Sequence, residues 1–270
     1  MRDDHGSYRS LYNVEGFFGR VQYDYDSRYF GSVSYRLDGS SNFHPDHRWG
    51  SFWSVGGAWI LSKEDWSPKT SAVNMLKFKA SYGEQGNDGI APFLYTDMYN
   101  ITNSNNNVAY SFASKGSEDI TWESVGNFNT GFEFEFFKSR LNGSIEYYWR
   151  KTSDMLMYFS SPWEIGYDGY YDNVGDMVNT GVEASLSADI IRTRNVNWNF
   201  GMNISWQKNR ITYIPDAKAG RIIDGHKGYV DGSLFYGEGL PIYTYYTKRF
   251  AGVDENGRAL YYRDGDGDYN

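Results

Sequence analysis

The chain contains no cysteine, which excludes a disulfide framework, a thiolate metal site and a cysteine nucleophile. Only 6 of its 270 residues are proline. No stretch approaches the roughly 18 uninterrupted apolar residues of a membrane-spanning helix, and the mean hydropathy is -0.65. A membrane β-barrel passes that test, because only alternate residues of its strands meet lipid. Positive charge is in short supply: 26 Lys and Arg stand against 34 Asp and Glu, a net charge of -8. Nucleic acid is therefore not an expected partner. P-loop, dinucleotide fingerprint and G-x-S-x-G elbow are all missing, and no cofactor is expected. The opening residues Met1-Arg2-Asp3-Asp4-His5-Gly6 lack the apolar core of a secretory leader. Asp264-Gly265-Asp266-Gly267-Asp268-Tyr269-Asn270 has the composition of a loop cut midway. The expectation is a piece of a longer protein.

What the chain has instead is aromatic residues and glycine. There are 9 Trp, 25 Tyr, 17 Phe and 30 Gly, a balance that favours strands and turns. Period-two alternation recurs throughout, the mark of strands with two unlike faces. Phe17, Gly19, Val21 and Tyr23 oppose Phe18, Arg20, Gln22 and Asp24. Tyr29, Gly31, Val33, Tyr35 and Leu37 oppose Ser32, Ser34, Arg36 and Asp38. Further runs begin at Trp53, Leu76, Asn127, Ser144, Val182 and Trp198, each alternating in the same way. Across these eight runs every charge, from Arg20 and Asp24 to Glu183 and Asp189, falls on one face. A charge facing lipid costs roughly 2–4 kcal/mol at the bilayer midplane, so a charge-free face suits a membrane barrel. A soluble sandwich core also excludes charge.

The connections separate these two cases. Links at Asp26–Arg28, Phe137–Arg140 and Ile191–Asn195 are short, and Leu61–Asn74 is moderate. The intervening links Gly39–Gly50, Glu84–Ile120, Lys151–Asn173 and Lys208–Leu240 are long and polar. Outer-membrane barrels combine short turns at one end with long loops at the other, and long loops are otherwise uncommon in compact domains. Trp198 and Trp206 bracket one apolar face, and Tyr23, Tyr25 and Tyr29 cluster at a short-turn end, as interfacial aromatic girdles do. The spacing predicts an all-β, antiparallel transmembrane barrel segment of roughly ten strands.

Six stretches carry a resemblance: YDYDSRYFGSVSYRLDGSSNFHPDHRWGSFWSVGGAWILSKEDW (Tyr23–Trp66), LKFKASYGEQGND (Leu76–Asp88), ITWESVGNFNTGFEFEFFKSRLNGSIEYYWRKTSDML (Ile120–Leu156), NVGDMVNTGVEASL (Asn173–Leu186), WNFGMNISWQKNRI (Trp198–Ile211) and KRFAGVDENGRALYYRDGDGD (Lys248–Asp268). In this order they resemble the mid-to-C-terminal barrel of SusC/RagA-type TonB-linked outer-membrane proteins. The resemblance implies a larger barrel, on the order of 22 strands with a plugged lumen, in the outer membrane of Bacteroidota-like bacteria. It implies import of oligosaccharides or peptides, a SusD-like surface lipoprotein as lid, and a plug moved by the TonB complex. Residues 1–270 are expected to form one partial barrel domain, about half of the wall, without a plug, TonB-contacting segment or closing strand. Its outer edges would be open to lipid, so the isolated chain is not expected to transport.

Chemistry-bearing candidates are sparse. His44-Pro45-Asp46-His47 lacks the helical spacing of a zinc pair. Asp264, Asp266 and Asp268 resemble the start of a calcium loop, without the rest of one; no metal is favoured. Glu133 and Glu135 share a strand face about 7 Å apart, a pair that either serves glycoside hydrolysis or lines a polar wall. Asn100-Ile101-Thr102, Asn142-Gly143-Ser144 and Asn203-Ile204-Ser205 match the glycosylation pattern, which a bacterial chain does not use. Loop aromatics stack on sugars and anchor protein contacts; Phe43, Trp49, Trp163, Tyr167, Tyr170 and Tyr171 are the candidates for ligand or lid contact. Two alternatives stand beside the importer: a soluble β-rich carbohydrate-binding module or glycoside hydrolase, and a passive porin or adhesin barrel.

Overall fold

A computed structural model describes residues 11–262 except 68, 69, 71, 105, 106, 162 and 168. In chain order the strands are β1 (Val14–Tyr25), β2 (Tyr29–Ser40), β3 (Trp49–Ile60), β4 (Val73–Asn87), β5 (Met98–Ser104), β6 (Asn107–Ser114), β7 (Glu123–Phe136), β8 (Leu141–Ser153), β9 (Leu156–Ser160), β10 (Gly169–Asn173), β11 (Asp176–Arg192) and β12 (Asn197–Tyr213). Six short ones follow: β13 (Arg221–Ile223), β14 (His226–Asp231), β15 (Leu234–Gly237), β16 (Thr244–Tyr245), β17 (Phe250–Val253) and β18 (Ala259–Tyr261). The eight alternating runs of the sequence become one antiparallel sheet in the order β1-β2-β3-β4-β7-β8-β11-β12. Each strand pairs with its predecessor in this order, so the sheet is a simple meander.

The short links lie at one end and the long ones at the other. At the short end Asp26 and Ser27 have φ of 53° and 48°, the paired positive values of a tight hairpin turn. Phe137, Lys138 and Ser139 are also left-handed, and the Asn74 side chain accepts hydrogen bonds from the N–H groups of Lys138 and Ser139 at 2.7 and 3.3 Å. At the long end the loops carry structure of their own. β5–β6 and β9–β10 are hairpins, and β13–β16 form a small sheet. Stretch 214–262, whose first part falls in the long link Lys208–Leu240, folds as the short strands β13–β18, none of which joins the eight-strand sheet. Pro215, Pro241 and the glycines 220, 225, 228, 232, 237 and 239 break the alternation there.

Register fixes the two faces. One row of directly opposed residues crosses the sheet as Tyr25, Tyr29, Trp59, Phe78, Phe132, Ile145, Ala184 and Ile204. The adjacent row, pointing the other way, reads Asp24, Phe30, Ala58, Lys79, Gly131, Glu146, Glu183 and Ser205. The first row holds no charge and the second holds four. The charge-free face is exposed across the sheet: Phe132 and Ile204 are 44% and 56% accessible. An apolar surface of this extent is far beyond what a soluble monomer leaves open. The buried side chains lie elsewhere. Both buried apolar clusters, one around Phe43 and Trp122 and the other around Ile211 and Tyr229, sit at the loop end.

The polar face is the concave one. A trough of about 670 Å³ is lined by residues from Gln22 on β1 across to Glu146 on β8. Lys79 bridges Glu133 at 2.8 Å and Glu146 at 2.6 Å, and Lys77 lies 3.1 Å from Glu133. Lys79 reaches Glu146 across Gly131, where a Cβ would lie 2.3 Å from the Ile145 carbonyl oxygen. Between the charges the wall is lined by small hydroxyls, with Ser34 bonded to Ser54 at 2.6 Å and Ser144 to Ser185 at 2.8 Å.

The rows predict unequal tolerance to charge in the complete protein. Phe132→Arg, at the middle of the apolar face, should cost about 2–4 kcal/mol if that face meets lipid and deplete the folded protein in the membrane. Glu183→Arg, opposite Glu146, should change stability by no more than about 1 kcal/mol. Heat-modifiable mobility of the membrane-extracted protein measures both; equal abundance of the two variants would refute the face assignment.

Candidate ligand and lid surface at the loop end

The loop end is built by aromatic packing. The rings of Phe43 and Trp122 lie 5.2 Å apart and those of Phe52 and Trp122 5.5 Å apart. Trp122 donates its indole N–H to the Arg48 carbonyl at 2.9 Å. Ile90, Tyr95, Leu156 and Tyr171 close over this cluster. The second cluster combines Val174, Ile211, Ile214 and Tyr229 with Met157, Phe159, Ala219, Tyr236 and Ile242. Tyr229 and Tyr236 stack at 5.0 Å, and burial pushes the Tyr229 hydroxyl well above the usual phenol range. Beside the first cluster, on the concave face, lies a cavity of about 750 Å³ lined by Tyr12, Arg36, Asp38, Phe52, Trp122 and Asn127 among others.

The six candidate aromatics have different surroundings. Phe43 is fully buried, so it offers no ring face to a ligand; it holds its loop down. Trp49 pairs with Gly39 and lies on the apolar side of β3 with Trp53 and Val55. Its indole stacks on Phe17 at 6.4 Å, over Gly39, where a Cβ would stand only 3.0 Å from the ring. Trp49 therefore belongs to the outward girdle at the loop end. A count of residues from the loop does not reveal this; strand parity with Trp53 does. Tyr170 and Tyr171 sit on β10 and point apart, Tyr171 towards the Phe43 cluster and Tyr170 towards Lys218. Tyr167, at the end of the β9–β10 hairpin, makes an edge contact with Phe112 on β6 at 5.4 Å. Trp163 opens the short turn Trp163–Ile165 at the same end.

The β9–β10 hairpin thus touches three other loop segments. The strongest tie is one that the sequence does not announce. The Lys218 ammonium lies over the rings of Tyr170 and Phe159, at 4.5 and 4.9 Å. It donates to the Tyr170 hydroxyl at 2.7 Å and to Asp172 at 2.6 Å. Burial works against its charge, but the hydrogen bonds to Asp172 and Tyr170 and the field of the Asp172 carboxylate outweigh it and hold the ammonium pKa above its ordinary value. A second unannounced tie gathers the first loop: the hydroxyls of Tyr12 and Ser40 both donate to Asp88, at 2.8 and 2.6 Å.

The His44 and His47 rings are 6.5 Å apart, and no group of three or more metal-capable side chains converges among the described residues. Asp264, Asp266 and Asp268 lie outside the described residues. Glu133 is held between Lys77 and Lys79, and Glu135 accepts a hydrogen bond from Ser139 at 3.0 Å.

A two-faced meander with short turns below and a packed crown of loops above is a barrel wall. Residues 2–270 match the family described as TonB dependent receptor-like, beta-barrel. The chain belongs to that family. The TonB-dependent receptor P39 of Formosa agariphila is 30% identical over 249 residues, covering 92% of this chain and 23% of that protein. The TonB-dependent receptor SusC of Bacteroides thetaiotaomicron is 30% identical over 217 residues, covering 77% of this chain and 22% of that protein. Among solved structures, the RagAB peptide importer in its closed-closed state superimposes with a TM-score of 0.83 at 28% identity, over 95% of this chain and 28% of that one. The chain spans about a quarter of the length of these relatives. TonB-dependent receptors are β-barrels of the outer membrane and transport proteins, not enzymes. Among the described residues the wall sheet has eight strands, against the roughly ten expected from the sequence.

The Lys218 tie gives a test of the crown in the intact TonB-dependent receptor. Lys218→Met should leave Asp172 without its cation and weaken the hairpin's attachment by about 1–2 kcal/mol, so that amides of Leu156–Ser160 and Gly169–Asn173 exchange about tenfold faster. Lys218→Arg should restore part of the protection. Because the lysine pKa is raised, the tie is complete at neutral pH and is lost only as strongly alkaline pH passes the folded value. Unchanged exchange in Lys218→Met would show that the tie carries no weight.

Proposed function

We propose that this chain is a stretch of the barrel wall of an importer of oligosaccharides or peptides, working with a SusD-like surface lipoprotein and with a plug moved by the TonB complex. The observation that carries this reading is the pairing of a charge-free outer face with a serine-, asparagine- and charge-lined concave face, in a chain akin to SusC and to a peptide importer. The outer face meets lipid. The concave face lines the lumen and meets the plug. The crown meets ligand and lid, with Trp163 and Tyr167 at the end of the β9–β10 hairpin as its contact candidates. Tyr170 and Tyr171 serve from within by holding that hairpin in place. The outer edges of β1 and β12, which pair with no strand among the described residues, take their partners from the rest of the receptor, since open edges are not tolerated in hydrocarbon.

Uptake by cells that carry the intact receptor tests this. Fluorescent oligosaccharides and peptides of several lengths are offered to cells with and without the receptor gene, before and after collapse of the inner-membrane proton gradient. One ligand class should enter only when receptor and gradient are both present. Entry that needs the receptor but not the gradient would establish the passive porin instead. Sugar cleavage by the purified receptor, lost in Glu133→Gln, would establish the hydrolase.

A further inference from the structure

The outward face of β12 changes character at one residue. It reads Trp198, Phe200, Met202, Ile204 and Trp206, all exposed and all uncharged. The next two outward residues are Lys208 and Arg210, both exposed. Their direction is fixed by the residues they alternate with. Asn209 donates to the Asn179 side chain at 2.6 Å and accepts the Ile242 N–H at 2.8 Å, and Ile211 is buried in the second apolar cluster. Lys208 and Arg210 therefore point away from the lumen, and whatever fills the lumen lies on the other side of the wall.

Height follows from strand geometry. From Trp198 to Trp206 is about 27 Å along a strand. At a tilt of about 40° this is roughly 20 Å across the membrane, close to the apolar band of an outer-membrane barrel. Lys208 stands one outward step beyond Trp206 and Arg210 two, so both lie in the headgroup layer on the loop side. A third cation joins them. Register puts Arg210 opposite Val178, and Val178 opposite Lys151 on β8, roughly 10 Å from Arg210. Lys151 already holds Asp176 at 2.7 Å, and Glu84, in the same row as Lys151, lies beyond β7 on β4. Lys208 and Arg210 have no carboxylate partner among the described residues, in a chain whose net charge is -8.

Chemistry selects the occupant. Two cations directly above an exposed indole and isoleucine match an amphiphile with an anionic head over apolar chains. Both side chains suit phosphate, Arg through paired N–H donors and Lys as a point charge. In the outer leaflet of a bacterial outer membrane the molecule of that kind is a phosphorylated saccharolipid. We propose that Lys208 and Arg210, with Lys151 beside them, form an outward-facing site for the phosphate of such a lipid, whose acyl chains lie along Trp206 and Ile204. The site depends on which way the wall faces and not on what the barrel imports. The competing partner for the two cations is a carboxylate on the wall strand that follows β12 in the intact receptor.

The intact receptor in mild detergent, titrated with phosphorylated lipid A and with lipid A stripped of phosphate, tests this, with bound lipid counted by native mass spectrometry. The phosphorylated form should bind about tenfold more tightly. Lys208→Gln with Arg210→Gln should abolish that preference, and Lys208→Arg with Arg210→Lys should keep most of it. Heat-modifiable mobility shows whether each variant is a folded barrel. If the double Gln variant does not fold, Lys208→Gln and Arg210→Gln take its place singly, each losing about fivefold in affinity. Millimolar inorganic phosphate should not displace the lipid, because the acyl chains hold it at the wall. Equal binding of the two lipids by the unaltered receptor, the result if a carboxylate of the neighbouring strand already holds the cations, would overturn the proposal. So would an undiminished preference in the Gln variants, or displacement by inorganic phosphate.

Discussion

Hydrocarbon offers no hydrogen bonds, so every backbone N–H and C=O that enters it must be paired within the protein. The rest of this structure depends on that constraint. It requires strands rather than loops across the bilayer, each paired on both sides. It also requires the side chains of one face to be free of charge. The row from Tyr25 to Ile204 meets the last requirement across eight strands, and the meander meets the first with turns as short as three residues. The same constraint explains why the sheet holds almost no buried side chains: one face is solvated by lipid and the other lines an interior. Among the described residues, conventional cores form at the loop end, where the chain returns to water.

The two faces then divide the work. On the outer face, aromatic pairs such as Tyr29 with Trp59 at the turn end and Phe17 with Trp49 at the loop end mark the borders of the apolar band. On the inner face, Lys77 and Lys79 are matched to Glu133 and Glu146, while Glu183 stands directly between Glu146 and Ser205. Charges are thus kept off the side where they would cost most and compensated on the side where water and protein meet them. Above the band, the β9–β10 hairpin touches the clusters of Phe43 and Tyr229 and the Phe112 ring, so the crown is one packed layer and not a set of separate loops. The uncharged β5–β6 ribbon projects from it.

The wall was legible in the sequence because its two-residue period follows from a single rule applied along the whole strand. All eight alternating runs are wall strands, and the positions of the charges gave the faces. The crown was not legible to the same degree. Trp49 follows a loop in the sequence, but its pairing with Gly39 puts it in the outer girdle. Phe43 carries the signature of a contact residue and is fully buried, because Trp122, some eighty residues away, folds back onto it. The Lys218 tie to Tyr170 and Asp172 depends on how two loops meet, and no local pattern encodes that. β5 and β6 lie in a run of Asn and Ser that reads as plain loop; only the absence of charge sets it apart.

The central claim is that alternate residues of one strand face lipid and lumen. The chain has no cysteine, so cysteines placed singly from Asn127 to Phe136 on β7 can be probed in the membrane-embedded receptor, with any cysteine elsewhere in it replaced. A water-soluble maleimide should label positions 127, 129, 131, 133 and 135 and spare 128, 130, 132, 134 and 136. Uniform labelling, or labelling with any period other than two, would contradict the account.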